Sequence, residues 1–385
     1  MHLRVFLSKL KKIYLGILKN HSYFLRFIAR NPNAPWALIF RYRIWVMEKR
    51  CRTGRPVLEE PDSSEAPENL LECAQLIFPY LQPADLASVS STCRACRRFA
   101  DDITSVRVSD ATRGFENTAI PFINAVDSQP YAYFLYTPVQ TLPAAAISAA
   151  AQRWGAPDDG RGQVRPDPFL FRVEGARGCD CSRGCSESSG CSCWDSAEFP
   201  SRECGPSCGC LSLECGNRLT QKGISVRLKI VKDKRKGWSL CAADLIPKGM
   251  FICEYAGELV TTDVTRARFK QYDDMSSRAH FSPALLVVKE HLSSGNTCMR
   301  MNIDATKIGN IARFINHSCD GGNLWTEIVR SSGALLPRVC FFATRDIHED
   351  EELNFSYGDA RLNPNGAQCF CGSPSCLGIL PSEHT

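Results

Sequence analysis

No aspartate or glutamate occurs between residues 1 and 47, a segment that does carry arginine and lysine. A long apolar run is missing there too, because Lys9, Lys11, Lys12 and Lys19 interrupt it. The segment therefore offers neither a clean secretory core nor the span of about 20 residues that a membrane helix needs, and no membrane association is expected. Poverty in acid leaves an organelle transit peptide or an amphipathic surface helix open. A surplus of either charge is absent from the other end: from Phe169 onward Arg plus Lys and Asp plus Glu number 25 each, so the formal net charge of +5 arises upstream. A disordered composition is also absent, since 44% hydrophobic and 23% charged residues make a globular balance. At 385 residues the chain exceeds one core and suits two domains with connecting segments.

The stretch RTGRPVLEEPDSSEAPEN, residues 52–69, is rich in Pro, Ser and Glu and reads as a linker. Leu70, Leu71, Ile77, Phe78, Leu81, Leu86 and Val89 then recur at helical spacing, broken at Pro79 and Pro83, which predicts two or three short helices up to about Ala100. The segment resembles an F-box through Pro67, Leu70, Leu71, Ile77, Phe78, Leu81, Pro83, Asp85, Leu86, Val89, Cys93, Arg94 and Phe99. That resemblance implies docking onto a Skp-type adaptor. A helical pair packed on the rest of the protein is the other reading. The Ala-rich LPAAAISAAAQRWG favours a helix, and GAPDDGRGQVRPDP a loop. Beyond Phe169 short β-branched and aromatic runs separated by Gly, Asp and Asn turns predict strands: VRLKIV, MFICEYAGELV, ALLVVKE, CMRMNID, LWTEIV and RVCFFATRDI. Only TDVTRARFKQY reads as a helix in that half. The expected class is mainly β, in small curved sheets.

Twenty-one cysteines in a large chain without a convincing export signal point to metal ligation rather than disulfides. Nine fall close together: Cys179, Cys181, Cys185, Cys191, Cys193, Cys204, Cys208, Cys210 and Cys215. Separate tetrahedral zinc sites would need multiples of four thiolates. Nine is explained by a cluster, because three zinc ions have twelve coordination positions and nine thiolates fill them when three bridge. So few apolar residues accompany them that metal binding must supply much of the folding energy. Near the C-terminus CFCGSPSC gives Cys369, Cys371 and Cys376, one ligand short of a closed site, and Cys319 is a candidate for the fourth. Cys319 ends RFINHSC, whose Arg, Asn, His and Cys suit a metal site, a nucleophile or a cofactor pocket alike.

Four segments in order resemble one family, the SET-domain protein lysine methyltransferases of the suppressor-of-variegation class, most closely the plant SUVR type. The nine-cysteine segment ending ECGNRLTQKG resembles the pre-SET domain. RKGWSLCAADLIPKGMFICEYAGELV resembles the opening of SET, RFINHSC with EELNFSYGD its close, and CFCGSPSCLGIL the post-SET segment. The match covers roughly Cys179 to Leu380. The expected organisation is a basic and linker segment over 1–60, an F-box-like helical module over 61–110 and a helical or loop connector over 111–168. A pre-SET zinc cluster over 169–223, a SET catalytic domain over 224–360 and a post-SET zinc segment over 361–385 follow.

The resemblance implies a knotted β fold in which the NFSY segment threads the segment holding FINHSC, with S-adenosylmethionine as donor. It implies three zinc ions in the pre-SET cluster and one in the post-SET site. Lys236, Gly237 and Trp238 are expected at the methionine and ribose end of the cofactor. Asn316 and His317 are expected to hold the adenine, with Arg313 shaping the pocket. Tyr357 would orient the lysine amine, Tyr255 would line the same channel, and Phe355 would control how many methyl groups fit, favouring di- or trimethylation. His317 is then no general base, because methyl transfer from a sulfonium needs no enzyme nucleophile. Three departures stand out. KGWS replaces the usual RGWG, SPALLVV puts Pro283 or Ala284 where an aromatic is expected, and DGGN lengthens the loop after NHSC.

Thirteen metal-bound thiolates, offset by four zinc ions, would leave this charge-balanced half at about −5. An acidic face including Asp346, Glu349, Asp350, Glu351 and Glu352 would suit a basic tail. A histone H3 tail or nucleosome is the partner the resemblance implies, with lysine 9 leading, in the nucleus on chromatin. A catalytically weak SET scaffold and a non-histone lysine methyltransferase are the other readings.

Overall fold

The structure is a computed structural model that describes residues 74–381 apart from 76, 144–151, 153, 156–164, 183, 195–196, 198, 211–213, 277–282, 292–297 and 359–366. The chain divides into two compact units, residues 1–102 and 103–385. In the first, Phe78–Tyr80 forms a single 3-10 turn and Pro83–Ser90 forms α1. Proline opens α1 where no backbone N–H is needed, and Asp85 lies in its first turn, where the helix dipole favours an acid. Phe78, Leu81, Leu86 and Val89 are buried, as the helical spacing predicts, while Ile77 is half-buried; Cys96 and Ala100 are buried too. Of the F-box-like positions, Pro67, Leu70 and Leu71 lie outside the described residues, as does the basic segment 1–60. The helix α2, Arg94–Ser109, crosses the division between the units.

The second unit contains thirteen strands among its described residues. They are β1 (Phe122–Ile123), β2 (Leu135–Tyr136), β3 (Arg202–Glu203), β4 (Leu228–Asp233), β5 (Gly237–Ala242), β6 (Phe251–Glu254), β7 (Gly257–Leu259), β8 (Leu285–His291), β9 (Cys298–Gly309), β10 (Asn316–His317), β11 (Leu324–Ser331), β12 (Arg338–Ala343) and β13 (Asn354–Phe355). The helix α3, Thr262–Ser276, lies between β7 and β8 in the chain and includes the segment read as helical. Each predicted β run contributes to a strand. They assemble into small sheets ordered β1-β4-β5, β3-β11-β12-β6 and β2-β9-β7, with β8 also on β9, and a two-stranded β10-β13 pair. The four residues of β6, three apolar and Glu254, and the six residues of β12 are all buried, so these strands carry the centre of the core.

Residues 111–168, expected as a helical or loop connector, require a correction over their first part. The strand β1 pairs in parallel with β4, and β2 pairs in parallel with β9. Ile120, Phe122, Tyr131, Phe134 and Tyr136 are buried in the same cluster as the catalytic-half strands. The aromatic payload drives this, since each ring removes a large apolar area from water. The last turns of α2 join them through Arg107, fully buried, which donates to the Trp154 carbonyl at 3.0 Å and to the Tyr131 hydroxyl at 2.9 Å. Of the Ala-rich patch, residues 144–151 lie outside the described residues.

Candidate active site and zinc centres

All nine clustered cysteines are free thiols packed against one another. Four sulfurs around one zinc at about 2.3 Å lie about 3.8 Å apart along each edge of the tetrahedron. The Sγ atoms of Cys179, Cys185 and Cys204 form a triangle with sides of 3.6, 3.8 and 3.7 Å, and Cys193 and Cys208 stand 3.7 Å apart. Cys179 belongs to three groups whose ligand atoms all lie within 4.8 Å of one another: with Cys181, Cys185 and Cys191; with Cys193, Cys204 and Cys208; and with Cys185, Cys204 and Cys210. Shared sulfurs are what bridging requires, so the residues fit zinc. Backbone and side-chain N–H groups surround the sulfurs. Asn217 Nδ2 donates to Cys204 at 3.5 Å, Arg218 Nη2 to Cys210 at 3.7 Å, and the backbone N–H groups of Cys193 and Gly205 to Cys191 and Cys208 at 3.4 Å each. Such donors favour the thiolate that a metal needs. Asn217 and Arg218 were missed by counting ligands; their place two and three residues after Cys215 was the available signal. At the other end Cys319, Cys369, Cys371 and Cys376 converge in a fourth group, with Cys319 and Cys369 3.8 Å apart.

The residues expected at the cofactor come from two places. The first is the turn from β4 to β5. Asp233 Oδ1 accepts from the backbone N–H groups of Arg235 and Lys236 at 2.7 and 2.9 Å, which hold its carboxyl below the ordinary range. Gly237 then takes φ +79°, and a Cβ there would meet nothing within 4 Å, so the turn is open on that side. Trp238 packs edge-on against Phe122 at 5.2 Å, while its buried indole N–H has no partner among the described residues. An orphaned donor beside an open glycine turn fits a polar ligand such as S-adenosylmethionine.

The second place is the parallel pair β10-β13, which sets Asn316 opposite Asn354 and His317 opposite Phe355. Asn316 Nδ2 donates to Ser239 Oγ at 2.8 Å and to Glu352 Oε1 at 2.9 Å, and Glu352 also pairs with Lys236. Ser239 and Lys236 are the two residues that depart from RGWG, and the Ser239 hydroxyl joins β5 to β10. His317 Nδ1 accepts from the Tyr357 backbone N–H at 3.1 Å, which leaves the ring proton on Nε2, 3.3 Å from Cys319 Sγ. Burial lowers its pKa, so the ring is a neutral brace between the pocket and the post-SET cysteines.

Tyr357 and Tyr255 each spend their single hydroxyl proton on a backbone carbonyl, Tyr357 on Ile315 at 2.8 Å and Tyr255 on Ala284 at 3.0 Å. Desolvation raises both phenols above the usual tyrosine range, so both stay protonated. Phe355 is buried against Phe341 and Tyr357, with ring centroids at 4.8 and 4.9 Å. At Ala284 the position expected to carry an aromatic instead contributes its backbone.

The Arg313 guanidinium donates to the Thr306 carbonyl at 3.1 Å and lies 4.9 Å from the Phe134 ring, where burial lowers its pKa to about 10. One expectation changes. The acidic run is largely committed within the chain. Asp346 accepts from the Lys248 backbone N–H, and Asp350 pairs with Lys229, Glu351 with Arg345 and Glu352 with Lys236. At Asp350, Glu351 and Glu352 a visiting lysine would have to displace a resident cation, which makes these three poor candidates for a tail-binding face.

The SET domain family model matches residues 237–358, which span the open turn, both tyrosines and the β10-β13 pair. The solved structure of Arabidopsis thaliana SUVH6 in complex with SAM superposes with a TM-score of 0.51 at 29% identity, over 71% of this chain and 55% of that one. Fold and pocket together define a SET-domain methyltransferase, an S-adenosylmethionine-dependent enzyme. The histone-lysine N-methyltransferase SUVR3 of Arabidopsis thaliana is 50% identical over 340 residues, 85% of this chain and 96% of the relative. Nicotiana tabacum SUVH1, described as H3 lysine-9 specific, is 29% identical over 82% of this chain, which spans 44% of that relative. The chain belongs to the SET-domain histone-lysine N-methyltransferases, in their plant SUVR type.

Proposed function

We propose that the protein methylates lysine 9 of the histone H3 tail on nuclear chromatin, to the di- or trimethylated state, with four bound zinc ions. The observation that carries the catalytic reading is the commitment of both phenol protons to backbone carbonyls. An oxygen that has given away its proton can only accept. Tyr357 and Tyr255 therefore take N–H bonds from the substrate amine and leave the nitrogen lone pair free for attack. Bound S-adenosylmethionine supplies the methyl group on a positively charged sulfur. The open turn at Gly237 and the Trp238 N–H receive it, and Asn316, locked by Ser239 and Glu352, closes the other side. A lysine ammonium ordinarily loses its proton near pH 10.4, and the narrow channel lowers that value by desolvation and by like charge. Phe355 offers no hydroxyl to hold a water, which leaves room for a methylated amine.

The choice of lysine 9 is supported by the naming of SUVH1. Zinc stoichiometry of three plus one is supported by the sulfur triangle, with Cys179, Cys185 and Cys204 bridging and with Cys215 hydrogen-bonded to Cys210 and Cys204 to complete the third set. Incubating zinc-loaded protein with labelled cofactor and H3 tail peptides tests the target. Transfer is expected to an intact tail and not to one with lysine 9 replaced by arginine; equal labelling of the two would overturn the assignment. Docking of a Skp-type adaptor on residues 61–110 is a separate proposal, checked by pull-down with the full chain.

A further inference from the structure

The strand β9 does not run evenly along β7. Glu258 stands opposite Asp304, yet the next partner, Gly257, stands opposite Gly309, so residues 305–308 are looped out of the ladder. Two glycines seat this bulge: a Cβ on Gly257 would lie 2.7 Å from the Asp304 carbonyl oxygen, and one on Gly309 2.6 Å from Ala305 Cβ. The bulge carries Thr306, buried like Asp304 before it.

Asp304 collects donors from two directions. From α3, Arg268 Nη1 reaches Oδ2 at 2.6 Å and the Tyr272 hydroxyl reaches it at 2.7 Å. From the bulge, the Thr306 backbone N–H reaches Oδ1 at 2.9 Å. Burial pushes the carboxyl up, but these hydrogen bonds outweigh it and hold the group ionised below the usual range. The Thr306 hydroxyl oxygen accepts the Ala284 backbone N–H at 2.9 Å. The Ala284 carbonyl in turn accepts the Tyr255 hydroxyl at 3.0 Å and the Ala305 N–H at 2.7 Å.

We infer that Asp304 and Thr306 are positioning residues for methyl transfer, linking α3 through the backbone on the two sides of the Ala284 Cα to the Tyr255 hydroxyl. The inference rests on the methyltransferase reading proposed above and extends it to the groups that dictate the direction of one phenol proton. With the Ala284 backbone held at its N–H by Thr306 and at its carbonyl by the Ala305 N–H, Tyr255 donates to that carbonyl and acts toward substrate only as an acceptor. Loss of the Thr306 anchor lets the backbone at Ala284 shift, and the phenol then donates to the amine instead and occupies the lone pair that must attack. The penalty falls on turnover rather than on binding, and falls hardest on the later methylations, where fewer N–H groups remain to orient the amine. The same network explains how Ala284 serves where an aromatic was expected: the position acts through its backbone.

The test uses the full chain loaded with zinc, with an H3 tail peptide, and reads kcat, both KM values, Tm and the ratio of mono- to higher methylated product. Thr306→Val keeps the shape and removes the acceptor. It is expected to lower kcat roughly tenfold or more, with both KM values within about twofold, and to shift product toward monomethyl-lysine. Thr306→Ser restores the hydroxyl and is expected to retain most of the wild-type rate and product ratio. Tyr272→Phe, which removes one donor on the α3 side and leaves the bulge untouched, is expected to give a smaller change in the same direction, and it serves should the valine variant fail to fold. Unchanged kcat and product ratio in Thr306→Val, or in Tyr272→Phe if the valine variant does not fold, would overturn the inference, as would a serine variant as impaired as the valine one. A wild type that transfers no methyl to any histone peptide overturns the functional reading and the inference with it.

Discussion

Replacing Tyr357 by Phe removes one oxygen, the one that donates to the Ile315 carbonyl, and leaves the ring against His317 and Phe355. Positioning of the amine is lost while packing remains. The expected result is a fall in kcat of about a hundredfold with Tm changed by little, measured by steady-state transfer and thermal melting. Phe355→Tyr adds a hydroxyl beside Tyr357 that can hold a water in the channel. It is expected to shift the product toward monomethyl-lysine, read by mass spectrometry. The identities of these residues were legible because RFINHSC and EELNFSYGD are specific motifs. Their hydrogen-bond roles were not: no property of the sequence says that Tyr255 donates to the backbone of Ala284, or that His317 braces Cys319 against Tyr357. Those roles depend on the meeting of segments dozens of residues apart.

Among the elements, the longer strands announced themselves through β-branched and aromatic runs, whereas β1, β2, β10 and β13 have two residues each and are too short to show a period. Parallel pairing of β10 with β13 is equally silent in a local window, yet it forms the pocket floor. The part played by residues 111–142 is open to a direct check. Phe134 is buried, 5.6 Å from the Phe314 ring and beneath the Arg313 guanidinium. Phe134→Ala is expected to destabilise the catalytic half by roughly 3–5 kcal/mol, seen as a lowered Tm of the full chain. On β6, burial raises the Glu254 carboxyl from 4.5 to about 7, against the pull of Arg338 at 3.5 Å. The folded state therefore binds more protons than the unfolded state between pH 4.5 and about 7, and this group's contribution to stability falls as pH rises through that window. Glu254→Gln removes that slope. The Tm of the variant should gain on the wild type as pH rises across the same interval; a constant gap would contradict the shift.

For the whole molecule, the cysteine arithmetic was the most legible feature, because a nine-thiolate count has few chemical solutions. Charge was less so: the acidic run read as a tail-binding face is mostly spent on Lys229, Lys236 and Arg345, pairings that arise only after folding. Cys319 lies at the join between the two kinds of site, opposite Cys369 and against the His317 ring. Cys319→Ser is expected to lower bound zinc from four ions to three per chain by metal analysis, and to abolish most of the transfer activity with the nine-cysteine cluster intact. The central claim, that two phenols with committed protons aim an uncharged lysine of the H3 tail at a methyl donor, is tested most directly by mass spectrometry of an H3 tail peptide incubated with zinc-loaded protein and cofactor. Wild type should yield di- and trimethylated lysine 9, and Tyr357→Phe almost none. Equal methylation by both proteins, or no methylation of the tail by wild type, would contradict it.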